Sequence, residues 1–393
     1  MRPVSRMWLN TIAAMVCVLT VFVPLARLAG ARASDFMSHY AAGEIVRQEP
    51  QNLYSLSVQK QYQTAVRGRQ FLPWVHPPVE ALLFAPLTLM GIDRAFRVWE
   101  ALSIGGLCWI AFSMRRLLGD LTGVQLGAVF AAGWLPLACG LAAGQDHIVC
   151  LLLYTWVFLL ADEGRDVAAG CCLGLTFVRF QLAIPVLLFF VAMRRWRVVG
   201  GAVATVAGMA AVSFAVVGRA LVPSYRAAIV YLAAVHDVPS LTRMPSVRGL
   251  LAFVVKEPRE LVMATAVAWV AVLGVGALMW MRADKRRFDV VFASALLLAL
   301  AVDYHVFMYD LSVVVLAGVL MVRRWPRFTV WLWVVGVAEA ALVPVSQKFG
   351  LVALLLLGAG FWAARRALIT EAPDGVCRPG LIPSPDVGPT TGR

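Results

Sequence analysis

The sequence predicts an all-α polytopic membrane protein, and three observations carry that prediction. Of the 393 residues, 61% are hydrophobic and only 15% charged, with a mean hydropathy of +0.79; a soluble domain is about 45–50% apolar and about 25% charged. Basic residues fall in short groups between apolar runs: Arg115-Arg116, Arg165, Arg194-Arg195-Arg197, Lys285-Arg286-Arg287, Arg323-Arg324-Arg327 and Arg365-Arg366. No internal repeat and no long polar domain interrupts this alternation. The net charge of +13 therefore has the distribution of basic membrane loops. It does not mark a nucleic-acid interface, since no basic, aromatic-interleaved soluble domain is there to carry one. The seven cysteines lack metal-ligand spacing.

Taken in order, Arg2 and Arg6 precede an apolar run from Met7 to Leu28, the length a spanning helix needs. Ala31-Arg32-Ala33 resembles a signal-peptidase site, but the apolar run exceeds an ordinary signal core. An uncleaved anchor is expected, with Asp35 emerging outside. An outer loop over 29–94 follows. It holds two short amphipathic pieces, the first a helix over Phe36–Arg47 whose apolar side is marked by Tyr40, Ile45 and Val46. It then reaches Trp74-Val75-His76-Pro77-Pro78. Val79–Met90 is too short and too interrupted by Pro86 to cross, so a re-entrant or surface helix is expected there.

If every basic group is cytoplasmic, the remaining apolar segments pair as out-and-back crossings. Val98–Met114 goes in, Val124–Ala138 out and Ile148–Leu160 in. Val167–Val178 and Leu182–Met193 form one hairpin with both ends inside. Val198–Val217 goes out, Val222–Arg248 is an outer loop, and Val262–Met281 returns. Val290–Val302, Phe307–Val322, Phe328–Val343 and Leu351–Ala364 complete the set, about ten to twelve helices in all. Residues 1–370 thus read as a single transmembrane domain, and 371–393, rich in Pro, Gly, Asp and Thr, as a disordered cytoplasmic tail.

On this topology His39, His76, His147, His236 and His305 share the outer face. Other polar groups gather there too: Asp35; Gln145-Asp146; Arg179 and Gln181 at the hairpin apex; Asp237, Arg243 and Arg248; Asp303, Tyr309 and Asp310. Ionisable residues at membrane depth are costly and mark functional sites by default. Two readings of Asp35 compete: a general base, or, with Ser34, the N-cap of the helix that follows. Arg179 either meets an anionic ligand bidentately or forms a structural ion pair with Asp303, Asp310 or Glu339. His76 either donates to a ligand oxygen or belongs to a rigid turn. Asp303-Tyr304-His305 shows no complete metal set. No metal ligands and no cofactor are assigned. P-loop, GxGxxG, HExxH and GxSxG motifs are absent, which removes nucleotide-driven pumps and serine hydrolases.

Four segments, in order, carry a resemblance: SDFMSHYAAG with Tyr54; WVHPPVEALLFAPLTLM; AAGQDHIVCLLLYTWVFLLADEGRDVAAGCCLGLTFVRFQLAIPVLLFFVAMRRWR; and DYHVFMYDLSVVVLA. With these the chain resembles glycosyltransferase family 87, membrane enzymes of the GT-C superfold that use polyprenyl-phosphate-mannose. Two places depart from the family pattern. Arg179-Phe180-Gln181 stands at the hairpin apex where Lys-Pro is usual, and Met244-Pro245-Ser246 where Asn-x-Ser is common. The resemblance implies inverting, metal-independent transfer of a sugar, most directly mannose, from a polyprenyl-phosphate donor to a hydroxyl on a glycan or glycolipid. It implies an active site on the extracytoplasmic face of a plasma or inner membrane, with the C-terminus cytoplasmic. Asp35 becomes the base. Arg179, with His76 or His305, stabilises the departing phosphate, and Gln145, His39, Tyr40 and Gln181 contact substrate. A transporter or flippase of a lipid-linked or anionic solute, or an inactive scaffold of the same fold, are the competing readings; the first would show paired broken helices in related halves.

Overall fold

A computed structural model describes residues 3–28, 35–66, 71–235, 241–342 and 348–368, and all regular structure among them is helical. Ala31–Ala33, Ser34, His236, Asp237 and the tail over 371–393 lie outside the described residues. Seven helical stretches are long and apolar enough to cross a membrane: Val4–Arg27, Ile92–Ser113, Gly123–Ala143, Asp166–Ala192, Trp196–Tyr231, Pro258–Arg282 and Phe349–Leu368. They fall within α1 (Pro3–Leu28), α5 (Ile92–Ser113), α7 (Gly123–Ala143), α9 and α10 (Asp166–Leu175, Phe180–Ala192), α11 and α12 (Trp196–Val217, Leu221–Val235), α14 (Pro258–Arg282) and α18 (Val352–Leu368). Shorter helices complete the bundle: α6 (Arg115–Gly119), α8 (His147–Asp162), α13 (Val247–Leu251), α15 (Phe288–Val302), α16 (Val314–Arg324) and α17 (Phe328–Leu342). Every crossing expected from the sequence overlaps a helix, although the expected Phe307–Val322 opens with a 3-10 turn and is α-helical only from Val314.

Two of the long stretches are not straight. Between α9 and α10 the chain turns through a 3-10 segment, Thr176–Arg179. Beyond α10, Arg195 reaches back to the Asp166 carboxylate and the Ala161 carbonyl, at the start of α9 and the end of α8. The stretch therefore goes in and returns, as the basic residues at both its ends require. Between α11 and α12, Gly218 adopts a left-handed φ of 75°. The bend lays α12 among the outer helices, so Val222–Arg248, expected as a loop, begins as helix.

Polar contacts identify one end of the bundle. Arg6 and Asn10 hold the Leu118 and Leu121 carbonyls, Arg323 meets Asp120 at 2.5 Å, and Arg287 holds the Arg366 carbonyl. Basic groups far apart in sequence thus share one face. The histidines His39, His76, His147 and His305 lie toward the opposite end.

That opposite end carries the helices of the first loop: α2 (Phe36–Gln48), α3 (Leu56–Ala65) and α4 (Pro78–Phe84), the last continuing as a 3-10 turn through Leu89. The chain between Met7–Leu28 and α5 does not cross, as the short Pro-interrupted segment predicts. α2 differs from expectation. It is enclosed on every side, from Phe36 to Val46, with only Glu44 among those residues not buried, because α4 covers the face meant for water. Gly43 permits this, since a Cβ there would stand 2.8 Å from the Phe84 carbonyl carbon. Two glutamines of α3 fix the extended segment before the His-Pro-Pro turn. Gln59 pairs with both backbone groups of Trp74 and Gln63 with both of Leu72.

Small residues set the closest helix contact. A Cβ on Gly170 of α9 would meet the Val198 carbonyl of α11 at 2.2 Å, and one on Gly201 the Val167 carbonyl at 2.6 Å. Such close backbone approach gives dispersion contact where lipid offers no hydrophobic driving force. Gly170→Val is expected to lose about 1–3 kcal/mol of stability through overpacking against backbone. Gly208→Ala on α11, which meets no heavy atom within 4 Å, is expected to be neutral. Thermal unfolding of the two variants in detergent checks the contrast.

Candidate active site

Among α2, α10, α12, α13 and α14, the α7–α8 turn and the loop after α15 lies a cavity of about 700 Å³, lined by Asp35, His39, His76, Gln145, Arg179, Gln181, Arg248, Asp303, His305 and Asp310 among others. The cavity exists because several helices stop short of this end. α15 ends at Val302, and irregular chain over 303–307 precedes the 3-10 turn Met308–Val313. Non-helical backbone at membrane depth is tolerated where it lines a cavity.

Asp35 occupies the N-cap position of α2, but its side chain makes no capping hydrogen bond. Its backbone carbonyl accepts from Ser38 instead, through both N–H and hydroxyl. The carboxylate is left to accept from Gln145 Nε2 at 2.6 Å. The capping role expected for this side chain does not hold, because a longer-range partner claims it. Gly144 brings that partner into place. It ends α7 with a left-handed φ of 68°, and a Cβ there would overlap Phe36 Cβ at 2.5 Å. The α7–α8 turn can therefore press onto the first turn of α2.

Gln145 is oriented by its other partners. Its Oε1 accepts from Arg179 at 2.7 Å and lies 3.4 Å from His39 Nε2, so the amide N–H₂ faces Asp35. Arg179 sits at the hairpin apex with its donors occupied. Nε and NH2 go to Asp146 and NH1 to Asp310 at 2.8 Å, and the guanidinium stands 5.5 Å from the Tyr309 ring centre. Of the ion pairs expected for it, Asp310 forms; Asp146 replaces Asp303 and Glu339. Burial opposes ionisation of Asp146, yet Arg179 beside it holds its carboxyl well below the usual carboxylate range.

The remaining sequence candidates divide. His39 is buried, stacked on Phe84 at 4.6 Å between ring centres. Burial works against its cation, but Glu80 outweighs it and raises the pKa above the ordinary value. His76 is partly exposed on the rim, with Nδ1 3.0 Å from Glu80. His305 lines the cavity edge-on to Phe307, and its backbone N–H donates to Asp303. Gln181 lines the wall, half-buried. Tyr40 does not reach the cavity: its hydroxyl donates to the Met90 carbonyl inside an apolar cluster with Phe36 and Phe84. His147 also turns away, packing its ring where Gly140 leaves room.

Two residues stand out that the sequence alone did not mark. Glu80, one turn into α4, is buried beside both His39 and His76; its spacing of four from His76 across Pro77-Pro78 was the available signal. Arg248 was one polar residue among several. It lies against Tyr304, 3.7 Å from the ring centre, with NH1 on the Tyr304 carbonyl at 3.1 Å and its Nε without a partner. No carboxylate pairs with it among the described residues. Arg248 thus faces the cavity as a guanidinium with spare donors, near the apolar wall formed by Ile184, Pro185, Ile229, Trp269 and Leu273.

Asp303 is the second acid on the cavity. Burial, with Asp310 nearby, pushes its pKa up to about 7, against about 3.9 in an unfolded chain. Between these values the folded protein binds one proton more than the unfolded, so stability falls as pH rises through that window and then levels. Asp303→Asn keeps an acceptor for the His305 N–H and removes the titration. Its melting temperature in detergent is expected to change less than the wild type's between about pH 5 and about pH 8; parallel profiles would contradict the assignment.

No curated protein matches the chain. The family model described as glycosyltransferase family 87 matches residues 74–308, which span α4, the hairpin, Arg248 and the 303–308 loop. The chain belongs to glycosyltransferase family 87 and is a multi-pass membrane glycosyltransferase by family.

Proposed function

We propose that this protein moves a sugar, most directly mannose, from a polyprenyl-phosphate carrier to a hydroxyl of a glycan or glycolipid, with inversion, in a GT-C type of bundle spanning 1–370. The observation that carries the reading is the composition of one cavity: a carboxylate at one side, a guanidinium with no carboxylate partner among the described residues at another, and an apolar wall along α10 and α14. A lipid-linked sugar phosphate needs those three features, and a soluble nucleotide-sugar would not need the third.

In this reading Asp35 accepts the acceptor hydroxyl's proton while that oxygen attacks the anomeric carbon. The bond from the anomeric carbon to the phosphate oxygen breaks, and polyprenyl phosphate leaves with the electron pair. Gln145 holds Asp35 in place through one carboxylate oxygen, leaving the other for the acceptor. Arg248, with His305 and His76 on the same cavity, stabilises the phosphate charge. Arg179, bound by Asp146 and Asp310, positions Gln145. The displacement itself routes through no metal: one base and a stabilised leaving group suffice. With the basic end in the cytoplasm, the cavity opens at the extracytoplasmic face of the plasma membrane and the C-terminus is internal.

Three measurements test this. Membranes carrying Asp35→Asn should transfer radiolabelled mannose from polyprenyl-phosphate-mannose about 10²–10⁴-fold more slowly than wild type; equal turnover removes Asp35 as base. If wild type turns over no polyprenyl sugar, a lipid-solute transporter or inactive scaffold is favoured. Arg248→Ala should raise the donor KM about tenfold or more, the worth of a charged hydrogen bond, with acceptor KM unchanged. A reporter fused after Arg366 should read cytoplasm, and an external reading would reverse the orientation.

A further inference from the structure

Beneath the His-Pro-Pro turn, three side chains meet whose hydrogen-bonding capacity does not balance. Glu80 is only 3% exposed, and neither of its oxygens has a hydrogen-bond partner of acceptable geometry. Yet His39 Nδ1 stands 3.2 Å from one oxygen and His76 Nδ1 3.0 Å from the other. The proton on His39 is fixed from its far side. Gln145 turns its carbonyl oxygen toward His39 Nε2, because its N–H₂ is committed to Asp35. His39 Nε2 is therefore an N–H, which leaves Nδ1 with the lone pair in the neutral ring and with a second N–H only in the imidazolium. The Trp74 indole N–H lies 3.4 Å from that same Nδ1. In the neutral ring a nitrogen lone pair thus faces a carboxylate oxygen in a buried site, with a second imidazole nitrogen on the other oxygen. Two acceptors at such separation repel unless a cation lies among them.

We propose that His39 Nδ1, His76 Nδ1 and Glu80 bind a divalent transition-metal ion of the zinc type. The candidate ligand atoms all lie within 4.8 Å of one another. In a tetrahedral site with bonds of about 2.0–2.2 Å, ligand atoms are about 3.3 Å apart, close to the two spacings found. Two imidazoles and one carboxylate suit zinc, cobalt, iron or manganese and not magnesium or calcium. The His39 contact to Gln145 supplies the outer hydrogen bond that a metal-bound histidine ordinarily makes through its second nitrogen. His39 and His76 both line the cavity, so the fourth position faces it and takes water. The surroundings favour positive charge: Asp35, Asp146 and Asp310 gather around Gln145 and Arg179 on the same side.

The ion would tie α2 to the start of α4 and hold His39, the residue that orients Gln145 and through it Asp35. The inference rests on the side-chain geometry alone and stands whether or not the transferase reading does. The test is metal content of the full-length protein, purified in detergent without chelator and dialysed against zinc-free buffer. About one equivalent of zinc per chain is expected in the wild type, falling at least fivefold in Glu80→Gln and in His76→Ala. Reconstitution with Co²⁺ should give visible d–d absorption in the wild type that both variants lack. His76→Ala, on the rim, serves if Glu80→Gln does not fold. Less than about 0.1 equivalent in the wild type, with no Co²⁺ spectrum and no change in melting temperature on adding Zn²⁺, would overturn the proposal and leave a proton shared between His39 and Glu80. Equal metal content in wild type and both variants would place the ion elsewhere and overturn it as well.

Discussion

Arg179 is the residue on which the outer half of this protein converges. Its guanidinium joins three parts of the chain that share no sequence neighbourhood: the apex of the α9–α10 hairpin, the α7–α8 turn through Gln145 and Asp146, and the 303–313 loop through Asp310. A buried cation uncompensated at this depth would be prohibitive, so these segments must close on it together. Removing one partner of such a buried pair leaves the other charge stranded, which costs more than the pair itself contributes. The arginine therefore fixes where the hairpin can stop and which way the turn after α7 faces, and Gln145 delivers that constraint to Asp35.

Around this node the short helices acquire a reason. α15 is buried along its whole length from Phe288 to Val302 except at Asp289, and so needs no lipid-matched span. Its early end, like the turn at Thr176–Arg179, frees backbone that would be unsatisfied in lipid but lines a wet cavity here. The apolar wall and the charged floor of that cavity come from the same few helices, α10 and α14 supplying the wall and their neighbours' interrupted ends the charge.

Much of this was legible in the chain because it depends on one-dimensional quantities. Hydropathy runs give the helices, since each crossing must satisfy its backbone internally. The arginine groups give the parity, including the return of the 166–192 stretch and the surface course of Val79–Met90, since a charge cannot cross cheaply. The site was legible only as a face. Asp35 read locally as a cap, and that reading failed because Gln145, over a hundred residues away, outcompetes the helix end for its carboxylate. Tyr40 sat in a suggestive motif beside Asp35, but on a helix enclosed on all sides it points into the apolar cluster. Glu80 passed unmarked in a greasy segment because its histidine partners lie on another helix and across a double proline. Arg248 looked like one more outer-loop arginine. What distinguishes it, the lack of a carboxylate partner among the described residues, is a property of the packed molecule.

The sequence by itself determined the helical class, the end of the bundle that gathers the arginines and the end that gathers the histidines, because the bilayer acts on each segment separately. Only the tertiary structure decided which polar residues meet. It assigned Arg179 to two aspartates and left Arg248 without a carboxylate among the described residues; it released Asp35 from its cap and set Glu80 between two imidazoles. Those outcomes follow from competition among donors and acceptors brought within three ångströms by packing, and no local pattern in the chain records the result of that competition. The Asp35 carboxylate at the cavity is thus written in the sequence, while its release from the helix end is a consequence of Gly144 letting one turn press against another.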